Sequence, residues 1–91
     1  MYRILNYSYT RAKQLNVEIY PSKYKDKKID VYKDGIYQCS IGDNRYLDFP
    51  NYARLYGLPY ALKRRKLYQL RHHKEYNKKG TAGYYAYYIL W

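Results

Sequence analysis

Every Phe, Tyr or Trp ring in this chain but one carries a hydrogen-bonding group: seventeen tyrosines and one tryptophan stand beside a single phenylalanine, Phe49. A tyrosine ring is apolar in its body, but its hydroxyl must reach water or a partner. A fold built from such rings has a thin interior and a wide half-buried margin. An AT-rich coding sequence would raise Phe along with Tyr, so the imbalance points to a use for the phenol. Ninety-one residues make one domain, 1–91. A chain of this size buries roughly 60–65% of its unfolded surface. Tyr and Arg are also the residues that anchor interfaces. The composition therefore points to a contact protein whose aromatic surface is completed by a partner.

Charge divides the chain. Eighteen Lys and Arg face seven Asp and Glu, a formal net charge of +11. Residues 1–48 hold nine basic and six acidic groups, whereas residues 49–91 hold nine basic groups and one acid, Glu75. Such an excess favours an anionic partner: nucleic acid, an acidic protein face or an anionic membrane surface. Its plain alternative is solubility. The single cysteine, Cys39, excludes an internal disulfide and suits a reducing compartment. Met1–Asn6 lacks a signal-peptide apolar run, and no segment has the length of a membrane span. The expectation is a chain that is neither secreted nor inserted in a membrane.

The division in charge is also a division in period. In residues 1–47 apolar residues alternate, which predicts strands. Ile29 and Val31 lead to Lys33-Asp34-Gly35, and Tyr37, Cys39 and Ile41 follow. A three-residue loop with Gly35 left-handed pairs Val31 with Tyr37 and Ile29 with Cys39, so that all five share a face. A two-residue Asp34-Gly35 loop would set the two strands' apolar residues on opposite faces. Leu15, Val17 and Ile19 predict another strand ending near Pro21, and Tyr7 and Tyr9 a further one, with a turn over Thr10–Gln14. Lys23–Lys28 reads as a loop.

Helical signals govern residues 48–91. Asp48 is a cap for a helix over Pro50–Tyr56 that stops at Gly57. Pro59 opens a longer helix to about Glu75. On its wheel Tyr60, Ala61, Leu67, Tyr68 and Leu70 share a broad side, with Arg65, Lys66, Gln69, His72 and His73 opposite. Thr81 is a cap for a last helix, Ala82–Trp91, although tyrosine's liking for strands makes a strand the competing assignment. The expected fold is α+β: a small antiparallel meander of three to four strands, then two or three helices packed on its apolar face. Tyr37, Tyr60 and Tyr68 are expected in the core.

Several groups are candidates for contact. Lys63, Arg65, Lys66, Lys74, Lys78 and Lys79 are candidates for an anion, a nucleic acid or an acidic partner; the plain alternative is a solvated face. Arg64 and Arg71 fall on the apolar side of the wheel and read as structural arginines, paired with Asp48, Asp43 or Glu75; the alternative is that they are reserved for a partner. The Lys78–Gly83 corner, at a helix N-terminus, admits an anion or a tight cap. Tyr84, Tyr87, Tyr88 and Trp91 form an aromatic stripe for stacking on bases, for a protein surface, or for the core.

Catalytic signals are weak. His72, His73 and Cys39 are too few for a metal site, and adjacent histidines diverge on a helix. The seven carboxylates are scattered. Gly35-Ile36-Tyr37 has the letters of a nuclease signature, but Ser40-Ile41-Gly42 follows too soon and lies inside the hairpin. No catalytic residue, metal or cofactor is expected, and no enzyme.

Ser40-Ile41-Gly42, Asp48-Phe49, the block Arg64-Arg65-Lys66-Leu67-Tyr68-Gln69-Leu70-Arg71-His72, Gly80-Thr81-Ala82-Gly83-Tyr84 and Ile89-Leu90-Trp91 follow one another in an order that resembles a family of small basic proteins of large double-stranded DNA viruses of algae and protists. The likeness spans about residues 29–91; Asp43-Asn44-Arg45-Tyr46 departs from it, where relatives often place a second glycine. The resemblance implies a viral, non-enzymatic protein; with the Tyr, Trp and Arg contact residues, the leading expectation is a small structural component of a virion, of minor-capsid type. Such a protein contacts other virion proteins or the genome and resides in the virion, otherwise in host cytoplasm or a viral factory. The alternative expectation is a nucleic-acid-binding protein acting on viral DNA or RNA in the infected cell. A host-directed accessory factor is a third.

Overall fold

The computed structural model describes residues 1–91. Its elements run α1 (Asn6–Gln14), β1 (Glu18–Pro21), β2 (Lys27–Lys33), β3 (Ile36–Asp43), α2 (Phe49–Tyr56), α3 (Leu58–Arg71), a short 3-10 turn (His73–Glu75) and α4 (Ala82–Ile89). The three strands form one antiparallel sheet in the order β1-β2-β3. The fold is α+β, with the meander and the capped helices where the periodicities place them.

The first element differs from its expectation. Tyr7 and Tyr9 lie on a helix, not a strand. Alternating tyrosines conceal the spacing Ser8, Ala12, which puts two buried residues one turn apart on one face, with buried Ile4 in the extended segment just before the helix. The helix ends at Asn16, whose φ of 64° is left-handed. There Asn16 N–H donates to the Lys13 carbonyl and Val17 N–H to the Ala12 carbonyl, each at 3.1 Å, the paired bonds of a Schellman stop.

The hairpin closes through two residues. Asp34 (φ 52°) and Gly35 (φ 78°) both take positive φ, as a type I′ turn requires. The conflict foreseen for a two-residue turn is resolved by a bulge. Tyr32 pairs with Tyr37, but Val31 pairs with Cys39 and Ile29 with Ile41, leaving Gln38 unpaired. The extra residue shifts the parity of β3. Cys39 and Ile41 are returned to the face of Ile29 and Val31, while Tyr37 is sent to the other face with Tyr32.

The core lies on the inner face. Val17, Ile19, Ile29, Val31 and Ile41 pack against Ile4 and Ala12 of the N-terminal segment and against Tyr85, Ile89 and Leu90. The covering helices are thus α1 and α4, not the whole C-terminal set. Side chains and a backbone amide fasten the end of α4. Arg11 Nε donates to the Tyr88 carbonyl (2.6 Å), Ser8 Oγ to that of Ile89 (2.8 Å), the Phe49 amide to that of Leu90 (3.0 Å) and Tyr7 Oη to that of Trp91 (3.1 Å). The carbonyls of Tyr88, Ile89, Leu90 and Trp91 are each paired, which ties the end of α4 to α1 and to the start of α2.

One charged cluster is buried beside this core. Lys28 belongs to β2, not to a loop, and its Nζ lies 2.8 Å from Asp48 Oδ2, with both side chains shut from solvent. Tyr2 Oη (2.6 Å) and the Asn51 side-chain amide (2.8 Å) also donate to Asp48, and the Asn51 backbone N–H completes the α2 cap at 3.1 Å. Gly42, at φ 80°, makes room for it: a Cβ there would stand 2.8 Å from both Lys28 Cδ and Leu90 Cδ1.

Candidate functional site

The α2–α3 hairpin stands partly outside the core, and its packing is unusual. Ala61 is buried, and Arg64, Arg65 and Tyr68 are half-buried beside it at helical spacing. Arg65 lies over the Phe49 ring at 4.3 Å and Arg64 over the Tyr52 ring at 5.3 Å. Guanidinium planes on aromatic faces thus do the packing that the wheel assigned to leucine. Arg65 points inward, contrary to the sequence expectation. Arg64 is held by Tyr52, with no acid, and Arg71 is exposed without an ion-pair partner. The acids expected for these arginines are engaged elsewhere, Asp48 by Lys28 and Asp43 by Arg45.

The outer half of α3 correspondingly carries apolar residues to solvent. Leu58, Tyr60, Leu62, Leu67 and Leu70 are all exposed, Leu70 at 64%, and Leu55 and Tyr56 at the end of α2 extend the surface. Lys63 and Lys66 are interspersed among them. Tyr60 and Tyr37 are therefore surface residues rather than core, and Tyr68 is a wall between surface and core.

The α4 aromatics are partly absorbed by the fold. Trp91 stacks on Tyr68 at 4.4 Å with planes 8° apart, and Tyr68 stacks in turn on His72 at 4.2 Å. Tyr88 donates its hydroxyl to the Tyr76 carbonyl (2.8 Å) and packs on Tyr84 and Tyr87. Tyr84, Tyr87, Tyr88 and Trp91 are all half-buried. Lys74, Lys78 and Lys79 are exposed near the N-terminal end of this helix. The Lys78–Gly83 corner already holds an anion: a Cβ at Gly83 would collide with the Glu75 carboxylate, which lies against the first turn of α4, where the helix dipole favours it. Thr81 caps that turn by accepting from the Tyr84 amide at 3.2 Å.

A further surface was not foreseen. On the outer sheet face Tyr20, Tyr32 and Tyr37 run edge to face at 5.5 and 5.6 Å, and Tyr24 leans on Tyr37 at 5.8 Å. Beneath them Asp30 accepts from Ser22 Oγ and Ser40 Oγ, each at 2.6 Å. Because Ser40 gives its proton to Asp30, Tyr37 is the donor in its 2.7 Å bond to Ser40. Burial alone would push the Asp30 carboxyl up, but these hydroxyls and the Lys23 amide outweigh it and hold the acid below its ordinary range. The signal for this face was present in the doublets Ile19-Tyr20 and Val31-Tyr32, where the residue opposite each core aliphatic is a tyrosine rather than a charge. Residues 18–34 hold four acids against five lysines, one of which, Lys28, is buried, so this stretch carries little net charge.

The remaining chemistry is quiet. No three His, Cys, Asp or Glu side chains converge as metal ligands would. Burial, then the Asp30 charge, push the Cys39 thiol up, which favours the unreactive neutral form. No helix is long and apolar enough to cross a membrane.

No family model, curated protein or solved structure matches the chain.

Proposed function

We propose that this chain is a small, basic, non-enzymatic structural protein of a virus particle. It seats the outer face of α2 and α3 on an acid-rimmed apolar patch of a neighbouring virion protein. One observation carries the reading: Leu55, Leu58, Leu62, Leu67 and Leu70 stand exposed together with Lys63 and Lys66. A free monomer seldom leaves more than a few hundred Å² of contiguous apolar surface open. The lysines suit acidic groups at the rim, where complementary charge sets orientation and the rate of encounter. The tyrosine sheet face supplies a second contact area on another side, as a protein that fills a gap between subunits requires. The viral setting is supported by the resemblance of residues 29–91.

Purified particles of the encoding virus test this directly. The protein should be present in them at stoichiometric level. Zero-length carbodiimide crosslinking should join Lys63 or Lys66 to Asp or Glu of a second virion protein. Absence from particles by mass spectrometry overturns the reading.

A second reading, a nucleic-acid-binding protein acting in the infected cell, is favoured by the charge of the C-terminal half. Its Arg71, Lys74, Lys78 and Lys79 are exposed, and none of them is ion-paired. Binding that weakens steeply with added salt would mark it.

A further inference from the structure

A cleft of about 300 Å³ opens between the segment joining β3 to α2 and the C-terminal end of α3. One wall is the column His72–Tyr68–Trp91, with ring centroids 4.2 and 4.4 Å apart. Tyr46, 66% exposed, lines the cleft too. Leu90 and the stem of Lys28 line the cleft as well. The volume is at the lower end of small-molecule sites, and the mixture of aromatic walls with a few convergent polar groups is what such sites share.

The charges around it are unequal in availability. Lys28 is committed to Asp48 at 2.8 Å. Arg45 is committed to Asp43, which accepts from its Nε and Nη2 and is thereby held down at about 2, an ionised carboxylate on the lining whose charge is paired with the guanidinium. Arg71 lines the cleft and has no acid of its own. The cleft thus offers aromatic faces and edges, imidazole nitrogens and one uncommitted guanidinium. That set is complementary to a planar heteroaromatic ring bearing an anion.

We infer that this cleft binds one nucleotide, its base against Tyr46 and the Tyr68–Trp91 column and its phosphate on Arg71. The ligand is a free nucleoside monophosphate or one residue of a single strand, since both present the same base and phosphate. The inference specifies a site for the nucleic-acid reading above and does not depend on the assembly reading.

Trp91 is the chain's one tryptophan and part of the wall, so its fluorescence reports occupancy. The full chain is titrated with thymidine monophosphate, thymidine, inorganic phosphate, oligothymidylate and a DNA duplex. Saturable quenching by the monophosphate, with thymidine weaker and phosphate silent, identifies a free nucleotide; quenching by oligothymidylate alone identifies a strand. Either result supports the cleft. Arg71→Ala should weaken binding about tenfold through loss of a charge-assisted bond. Tyr46→Ala should weaken it roughly fivefold or more through loss of stacking. Both side chains are exposed, so melting temperature and far-UV dichroism should stay unchanged. Duplex binding with no Trp91 response overturns the cleft while the nucleic-acid reading stands. Silence to every ligand overturns both, and quenching that both variants leave intact overturns the cleft.

Discussion

Lys28 and Asp48 show how much a single residue decides. A lysine in a basic stretch reads as solvated, yet Lys28 is 4% exposed and its partner 0%. Removing one member of a buried pair leaves the other uncompensated, which costs about 3–5 kcal/mol. A domain of this size holds on the order of 5 kcal/mol in all. Lys28→Met should therefore leave no more than about 2 kcal/mol and bring the midpoint of a urea titration, followed by far-UV dichroism, close to zero denaturant; a small shift in midpoint would contradict the role given to the pair. Arg45→Ala, at the exposed Asp43–Arg45 pair, should leave the midpoint where it is. Lys28 and Arg45 each lie in a basic stretch and each meet one aspartate. What separates them is Gly42, which admits the Lys28 stem, and Tyr2 and Asn51, which satisfy the remaining lone pairs of Asp48.

At the scale of elements, α3 turns on the choice of which side faces in. Its leucines were the apolar face by periodicity, but the neighbours available to it are Phe49 and Tyr52, whose ring faces attract guanidinium groups. The arginine stripe turned inward and the leucines were left outward. Leu67→Glu with Leu70→Glu should then change stability by no more than about 0.5 kcal/mol, as surface substitutions do. It should also abolish the Lys63 and Lys66 crosslinks to the virion partner. A large fall in melting temperature would mean that these leucines are packed after all. The β2–β3 hairpin makes a similar point. Its turn residues were plain in Asp34-Gly35, and the two-residue turn sets Tyr37 beside the outer Tyr32; the bulge at Gln38, which returns Cys39 and Ile41 to the core face, carries no compositional mark.

For the whole molecule, the phenols set a limit in base. Burial first, then the Asp48 charge and hydrogen bond, raise the Tyr2 pKa far above its ordinary value. Burial, then Glu75, push Tyr68 up to about 12, and burial leads the upward shifts of Tyr85 and Tyr88. A raised acid holds its proton more tightly when folded. Its contribution to stability is whole below the ordinary tyrosine pKa of about 10 and drains as pH rises beyond it. The chain should unfold cooperatively in base above roughly pH 10. Phenolate absorbance should rise in step with loss of far-UV dichroism, and Tyr2→Phe should move that transition to higher pH. Complete phenol titration with the dichroism intact would show these hydroxyls to be accessible.

The sequence by itself determined what depends on neighbours along the chain: the Asp48 and Thr81 caps, the stop at Gly57, the Asp34-Gly35 turn, the alternating aliphatics of β1 and β2, and the concentration of positive charge after residue 48. Those signals are local because a cap or a turn is satisfied within a few bonds. Which surfaces the fold covers was set by contacts between residues far apart in the chain. The tertiary structure drew Ser8, Arg11 and Tyr7 onto the carbonyls after Tyr87, closed Trp91 over Tyr68, placed Glu75 against α4 and left Tyr20, Tyr24 and Tyr37 exposed at the outer sheet face. A tyrosine ring is equally at home in a core margin or an interface. Its place is settled by which partner comes within reach when the chain closes, and that distance in space is not written in spacing along the sequence.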